Sequence, residues 1–432
     1  MSTPILAAGA RVRWLRLIPT IFAMYTIAFF DRINFGLAVP SLIKDLHISP
    51  AEAGFAGGIF FWGYLITFLA AGWLAPRFGA RNCILIALLA WGAFAIGSGF
   101  ARSYNELLVM RFLLGAAEGP VWTATSMLLA QWFVQEERAR AFGLWNLCIP
   151  VGALLAGPIS GLILTYSTWH IMFILEGLPA WVWAAVWWRN IPNRLEDATW
   201  MAAEDRIALQ NAFAAEQAGL QRPGNNWQGM LKDRNVWLLL GAFSMINMLS
   251  YGFSLWLPSA IKAASTLGIG SVGMLSALPY IAAVFGLIAV TRSSDKRGER
   301  RLHVALPMLV IGVLLWVGAY FGQHAVVIQM VAFVAMGFFL YMFLPILFTF
   351  LTELLPQEMA IPAIAFVGGV GNLFGGFVGP WLVGLIKQQT GSFLPAFTLL
   401  AVLAVIGSGC ALMVRLPGER RDHLAAAPRR AQ

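Results

Sequence analysis

The chain has 432 residues, 59% of them hydrophobic and only 11% charged, and its mean hydropathy is +0.74. That balance excludes a water-soluble domain and describes a polytopic membrane protein. The net charge of +9 is spread over short segments with no continuous patch, which argues against a nucleic-acid partner and for the lipid bilayer.

A bilayer core of roughly 30 Å calls for about 20 apolar residues per helix. About twelve such runs follow one another, near 16–39, 52–74, 82–100, 105–130, 140–165, 169–189, 235–261, 270–291, 302–321, 325–352, 360–387 and 393–414. The first is too long for the apolar part of a signal peptide and no small-residue cleavage site follows it, so it is expected to stay in the mature protein. In its middle, "AFFDRINFG" (Ala28 to Gly36) sets Asp31 beside Arg32. One such charge at the centre of a spanning helix costs about 2.5 to 3.5 kcal/mol, which some interaction must offset.

Span 4 carries two more charges, Arg111 and Glu118. Seven residues return to the same helix face after a rise of about 10 Å, too far for a simple local pair. Each must find another partner: Asp31 or a bound anion for Arg111, solvent or a proton for Glu118. Gly119 and Pro120 follow directly, and a helix break there would free backbone carbonyls beside the acid. Glu176, in "FILEGLPAW" of span 6, reads as a local structural residue.

Ile191 to Arg234 is the one sizeable polar stretch between apolar runs, and its "RLEDATWMAAEDRIALQNAFAAEQ" has helical spacing before the turn-forming "QRPGNN". In span 11, Asn372 of "GVGNLFGG" is the best polar candidate from the second half. It also lies on a stripe of Gly371, Gly375 and Gly379 that suits close helix packing.

The order is that of a duplicated unit. "GLAVPSLI" (Gly36 to Ile43) aligns with "SLWLPSAI" (Ser254 to Ile261) 218 positions on, and "PRFGAR" (Pro76 to Arg81) with "DKRGER" (Asp295 to Arg300) 219 positions on. In that register Asp31, Arg32, Arg111 and Glu118 fall opposite Leu249, Ser250, Met330 and Gly337. Charge absent from the second copy is not demanded by the fold. It points to an ion or proton pathway.

Topology follows from Lys and Arg. With the termini, the loops near 75–81, 131–140 and 292–301, and the 189–234 segment on one side, 23 of 29 basic residues lie there. Only Lys44, Arg102, Lys262 and Lys387 fall opposite, and Arg32 and Arg111 lie within spans. The positive-inside rule then makes both termini cytoplasmic.

Several other patterns carry nothing. "GIGSVG" (Gly268 to Gly273) fits a dinucleotide-binding pattern but follows no strand. The five histidines lie at span ends or in tails without metal-ligand spacing, and Cys83, Cys148 and Cys410 are isolated in apolar runs. No cofactor or metal is expected. No nucleophile-and-base constellation supports an intramembrane enzyme, and no soluble signalling domain supports a sensor.

The stretches "DRINFGLAVPSL", "RFLLGAAEGP", "WFVQEERARAFG" and "GNLFGGFVGPWLVGLIKQQTGSF" together resemble the major facilitator superfamily, and within it the anion:cation symporters that import organic acids such as sugar acids, phthalate or hydroxyphenylacetate. The resemblance covers essentially the whole chain. It implies an all-α integral membrane fold of twelve helices in two pseudo-symmetric six-helix bundles. The corresponding units here are 1–190 and 235–415, with 191–234 as a cytoplasmic linker carrying an amphipathic helix and 416–432 as a cytoplasmic tail. It also places a substrate-contacting tyrosine at Tyr64, and a cytoplasmic gate at Arg77 and Arg81 in the first copy and at Asp295 and Arg300 in the second. Where the superfamily usually has an acid in the first copy, this chain has Pro76.

The expected protein is therefore a monomeric, proton-coupled importer of a small organic anion in a prokaryotic inner membrane. Arg32 would receive the carboxylate, with Tyr64 and Asn372 as further contacts. Asp31 and Glu118 would carry protons with Arg111 beside them, and Asp31 and Arg32 would offset each other in the empty site. The alternative within the superfamily is a proton-driven exporter of drugs or metabolites. A fixed cation suits anionic cargo better.

Overall fold

The computed structural model describes residues 4–219, 226–297, 299–322 and 325–415, without the side chains of 4–10, 217–219 and 291–297. Twelve helical spans account for the predicted apolar runs: Arg11–Asp45, Pro50–Phe78, Ala80–Ser98, Tyr104–Trp132, Gln135–Tyr166, Trp169–Asn190, Arg234–Ala263, Ile269–Val290, Arg301–Phe321, Val326–Leu354, Gln357–Thr390 and Leu394–Leu412. Most run a few residues past the apolar stretch at one or both ends. Backbone hydrogen bonds within a helix are satisfied equally well in water, so hydropathy marks the hydrocarbon slab and not the helix end.

Packing repeats between the halves. Span 2 packs on span 4, span 3 on spans 4 and 6, and span 1 on spans 5 and 6; spans 8, 9 and 7 pair in the same way with 10, with 10 and 12, and with 11 and 12. The two bundles meet along span 5 against span 8, span 2 against span 11, and the second part of span 1 against span 7. Twelve helices in two copies of one six-helix arrangement are what the resemblance implies.

The inter-bundle contacts are closest at the end where spans 1 and 2 are joined. A Cβ on Gly54 would lie 2.4 Å from the Pro380 carbonyl oxygen, and one on Gly157 would lie 2.4 Å from that of Gly273. Only glycine permits this backbone-to-backbone approach.

Four spans are interrupted. Span 1 is a helix over Pro4–Ile33 and another over Phe35–Asp45, joined at Asn34. Span 5 turns at Leu147 between Gln135–Asn146 and Cys148–Tyr166. Span 10 breaks between Val326–Phe339 and Phe343–Leu354, and span 11 passes through a π-helical segment, Phe374–Val378. Span 4, where a break is expected at Gly119 and Pro120, is one helix over Tyr104–Trp132. Proline there costs a single i→i−4 bond, and the flanking turns hold the helix together.

Between the bundles the linker forms a helix over Ala203–Gly219 that packs on span 1, then a short helix over Trp227–Lys232. Most of "QRPGNN" and the 416–432 tail lie outside the described residues.

Candidate functional site

Spans 2 and 4 cross with their backbones nearly touching. A Cβ on Gly115 would lie 1.9 Å from the Phe60 carbonyl oxygen, and one on Gly119 would lie 2.4 Å from that of Tyr64. This crossing brings Phe60 and Tyr64 of span 2 against the face of span 4 that carries Arg111 and Glu118, and span 1 closes the third side.

Arg32 lies at the centre. Its Nε donates to Glu118 Oε2 at 2.8 Å, with the side chains 7% and 0% exposed. The guanidinium carbon is 4.9 Å from the Tyr64 ring centre, 5.4 Å from Phe60, 5.7 Å from Tyr25 and 5.8 Å from Phe29. A guanidinium is weakly hydrated and stacks on π-faces, so this aromatic box lowers its burial cost while leaving donors free.

The expected pairing is thereby corrected. Arg32 is paired with Glu118 and not with Asp31, because consecutive helix residues point about 100° apart. Glu118, assigned to solvent or a proton, has an internal cation. Asp31 is 2% exposed, and neither of its carboxyl oxygens has a hydrogen-bond partner. Trp91 and Arg111 are its favourable electrostatic neighbours, with Glu118 and Glu176 opposing. Arg111 is 3% exposed; its guanidinium carbon lies 4.5 Å from the Phe35 ring centre and 5.4 Å from Phe60, and its Nε is unpartnered. Arg32 Nη2 and Glu118 Oε1 are also buried without partners. Buried polar atoms are normally satisfied, and here the unmet valences of Arg32, Asp31, Arg111 and Glu118 gather in one place.

The second bundle contributes uncharged groups. Asn372 Oδ1 accepts from Asn247 Nδ2 at 3.5 Å and from the Tyr251 hydroxyl at 3.4 Å. Tyr251 packs its ring 4.6 Å from Phe61 and adjoins Arg32 and Tyr64. Asn372 stands two residues before the π-helical segment of span 11, so the small-residue stripe and the polar group lie at one place. The structure brings Arg32, Glu118, Tyr64, Asp31 and Arg111 together and joins Asn372 to them through Tyr251.

Tyr25, Asn247 and Tyr251 are absent from the sequence-based set. Tyr251 stands one position past Ser250, the repeat equivalent of Arg32, and that register is the signal that points to it. The other such group is Asn34 at the break in span 1: its Nδ2 donates to Glu176 Oε2 at 2.8 Å while Ser160 donates to Oε1 at 2.7 Å. Glu176 thereby ties spans 1, 5 and 6 together beside the charged site.

The residues expected to form the gate lie at the opposite end from the glycine contacts. Arg77 stacks on Trp73 at 4.1 Å. Arg81 donates to the Trp188 carbonyl at 2.8 Å while its backbone oxygen accepts from Trp187 Nε1 at 3.1 Å, tying span 3 to span 6. Arg300 donates to Glu353 at 3.2 Å. The side chain of Asp295 lies outside the described residues. The "WFVQEERARAFG" stretch acts as a clamp: Glu137 accepts twice from Arg13, at 2.8 and 2.7 Å, and Arg138 reaches Glu216 of the linker helix at 2.7 Å.

Two pseudo-symmetric helical bundles, the first holding a buried charged cluster that faces uncharged polar groups of the second, have the architecture of a membrane carrier. The Major Facilitator Superfamily model matches residues 21–360 and 263–431, and the chain belongs to that family of membrane transporters. It is 31% identical over 399 residues to a putative tartrate transporter of Agrobacterium vitis, covering 91% of this chain and 88% of that one. It is 29% identical over 402 residues to a quinolone resistance transporter of Acinetobacter baumannii, covering 91% of each. Among solved structures it resembles a D-xylose-proton symporter with a TM-score of 0.72 at 15% identity, over 93% of this chain and 98% of that one.

Proposed function

We propose that the protein is a secondary active symporter that takes up a small organic anion with protons, by alternating access of its two bundles around the Arg32 site. The observation that carries this reading is the Arg32 guanidinium, held through Nε by Glu118 and left with an unpartnered Nη2. A carboxylate completes such a fork with two parallel charge-assisted bonds. The relatedness to a putative tartrate transporter points to the same class of cargo.

Coupling follows from competition. In the empty carrier Glu118 neutralises Arg32. A proton on Glu118 releases the guanidinium, and the substrate carboxylate takes the place of the glutamate. The loaded site then carries no more net charge than the empty one, so closing a dry gate over it does not bury an unpaired ion. Asp31 is the second proton carrier, with Arg111 positioned to hold its charged form. Tyr64, Asn372 and Tyr251 orient the rest of the substrate. Arg77, Arg81, Asp295 and Arg300 form the cytoplasmic gate, and both termini face the cytoplasm of a prokaryotic cell. One chain holds both bundles and functions as a monomer.

Export is the second reading, favoured by the relatedness to a quinolone resistance transporter. Uptake of labelled sugar acids, hydroxy-dicarboxylates and aromatic acids into cells, with and without a protonophore, separates the two. Protonophore-sensitive accumulation of one carboxylate class is the expected result. Accumulation of none, with drug efflux restored by the protein, would overturn the import reading.

A further inference from the structure

Spans 1 and 6 part on the outer surface of the first bundle, at the end that carries the linker. They leave a crevice of about 610 Å³ whose lining includes Leu15, Arg16, Pro19, Thr20, Trp183 and Asn190. The rim is apolar and open: Leu15 is 66% and Val12 43% exposed. The floor is polar. Thr20 donates to the Arg16 carbonyl at 2.8 Å, Asn190 Nδ2 donates to the Thr20 hydroxyl at 3.2 Å, and Trp183 Nε1 donates to the Thr20 carbonyl at 3.0 Å.

Arg16 is the group that this network leaves over. Its Nε is buried without a hydrogen-bond partner, and its guanidinium carbon sits 5.3 Å from the Trp200 ring centre. Arg13, one turn earlier, is neutralised by Glu137 at 2.7 Å. Among the described residues no carboxylate lines the crevice beside Arg16. A cation without a counter-ion among the described residues, at the end of a lipid-facing groove with apolar walls, is complementary to a molecule with an anionic head and an apolar tail. A free inorganic anion would use the cation but none of the walls.

We propose that this crevice binds an anionic phospholipid, with its phosphate on the Arg16 guanidinium and an acyl chain along Leu15, Pro19 and Trp183. Arg is suited to the task because its planar fork meets phosphate oxygens in pairs. The lipid would bridge spans 1 and 6 beside the linker.

Native mass spectrometry of the full-length protein, delipidated in detergent and then given phosphatidylglycerol, phosphatidylcholine or inorganic phosphate, tests the proposal. Both lipids carry a phosphodiester, but the choline cation of phosphatidylcholine satisfies its own phosphate and repels Arg16, so wild type should retain phosphatidylglycerol over phosphatidylcholine by roughly tenfold. Arg16→Gln should abolish that preference. Leu15→Glu places an acid on the exposed rim without touching the fold, and should abolish it too, so the test stands even if Arg16→Gln does not purify. Equal retention of the two lipids by wild type, a preference unchanged in either variant, or displacement of phosphatidylglycerol by equimolar inorganic phosphate would each overturn the assignment.

Discussion

In the proposed mechanism the buried Arg32–Glu118 pair serves transport and not stability. Two ions taken out of water regain only part of their hydration from each other, so such a pair is a poor device for holding a bundle together. It is a good device for exchanging one partner. Arg32→Ala should reduce binding of the transported carboxylate by 10- to 100-fold or more, as expected for loss of a charge-assisted contact. Arg32→Lys should restore only part of it, because a point charge replaces the fork. Isothermal titration on purified protein reads both, and unchanged affinity in the alanine variant would remove Arg32 from the substrate site. Glu118→Gln mimics the protonated acid and leaves Arg32 permanently available. Counterflow in proteoliposomes should persist, since exchange needs no empty return step, whereas accumulation driven by an imposed pH gradient should vanish. Retained accumulation would take Glu118 out of the coupling mechanism.

At the scale of elements, the break in span 1 stands beside the charges and is tied down from outside span 1. Asn34 is only 3% exposed, and Glu176 accepts its amide together with the Ser160 hydroxyl. Glu176→Leu would strand two buried donors, each costing about 1 to 3 kcal/mol. Glu176→Gln keeps an acceptor for one of them and should lose roughly half as much. Thermal unfolding in detergent should therefore rank wild type above Gln and Gln above Leu. Equal melting of Gln and Leu variants would mean that the hydrogen bonds do not support the break. The register of spans 2 and 4 is set in the same indirect way, by glycines that carry no chemistry yet put Tyr64 within reach of Arg32.

For the whole molecule, the two bundles close on one another through backbone contacts at one end. Gly54 faces Pro380 so closely that a Cβ would also lie 3.0 Å from the Trp381 Cα, and backbone cannot move aside as a side-chain tip can. Gly54→Leu should hold this end open and shift the alternating-access equilibrium. A cysteine introduced at Leu37, which is 1% exposed, in a background lacking Cys83, Cys148 and Cys410, should be labelled faster by an impermeant maleimide when Gly54→Leu is added. An unchanged rate would show that closure does not depend on this contact.

Apolar run length, the offset of the repeated motifs and residue type determined the twelve spans, their order, the duplicated plan and the presence of four charges that the second copy lacks, since each depends on one-dimensional facts: hydrocarbon thickness, repeat offset and the cost of a buried ion. Which charge meets which is a different kind of fact. Arg32 and Glu118 are 86 positions apart, and Asp31, adjacent to Arg32 in the chain, points elsewhere because a helix turns its neighbours apart. Span 4 stays whole at Pro120 because the remaining turns outvote one missing bond, and the break in span 1 falls at Asn34 where spans 5 and 6 supply Ser160 and Glu176. Sequence determined which groups are costly to bury; only the crossing of spans 1, 2 and 4 decided how their partners are shared, because partner choice depends on distances that close only when the bundle packs.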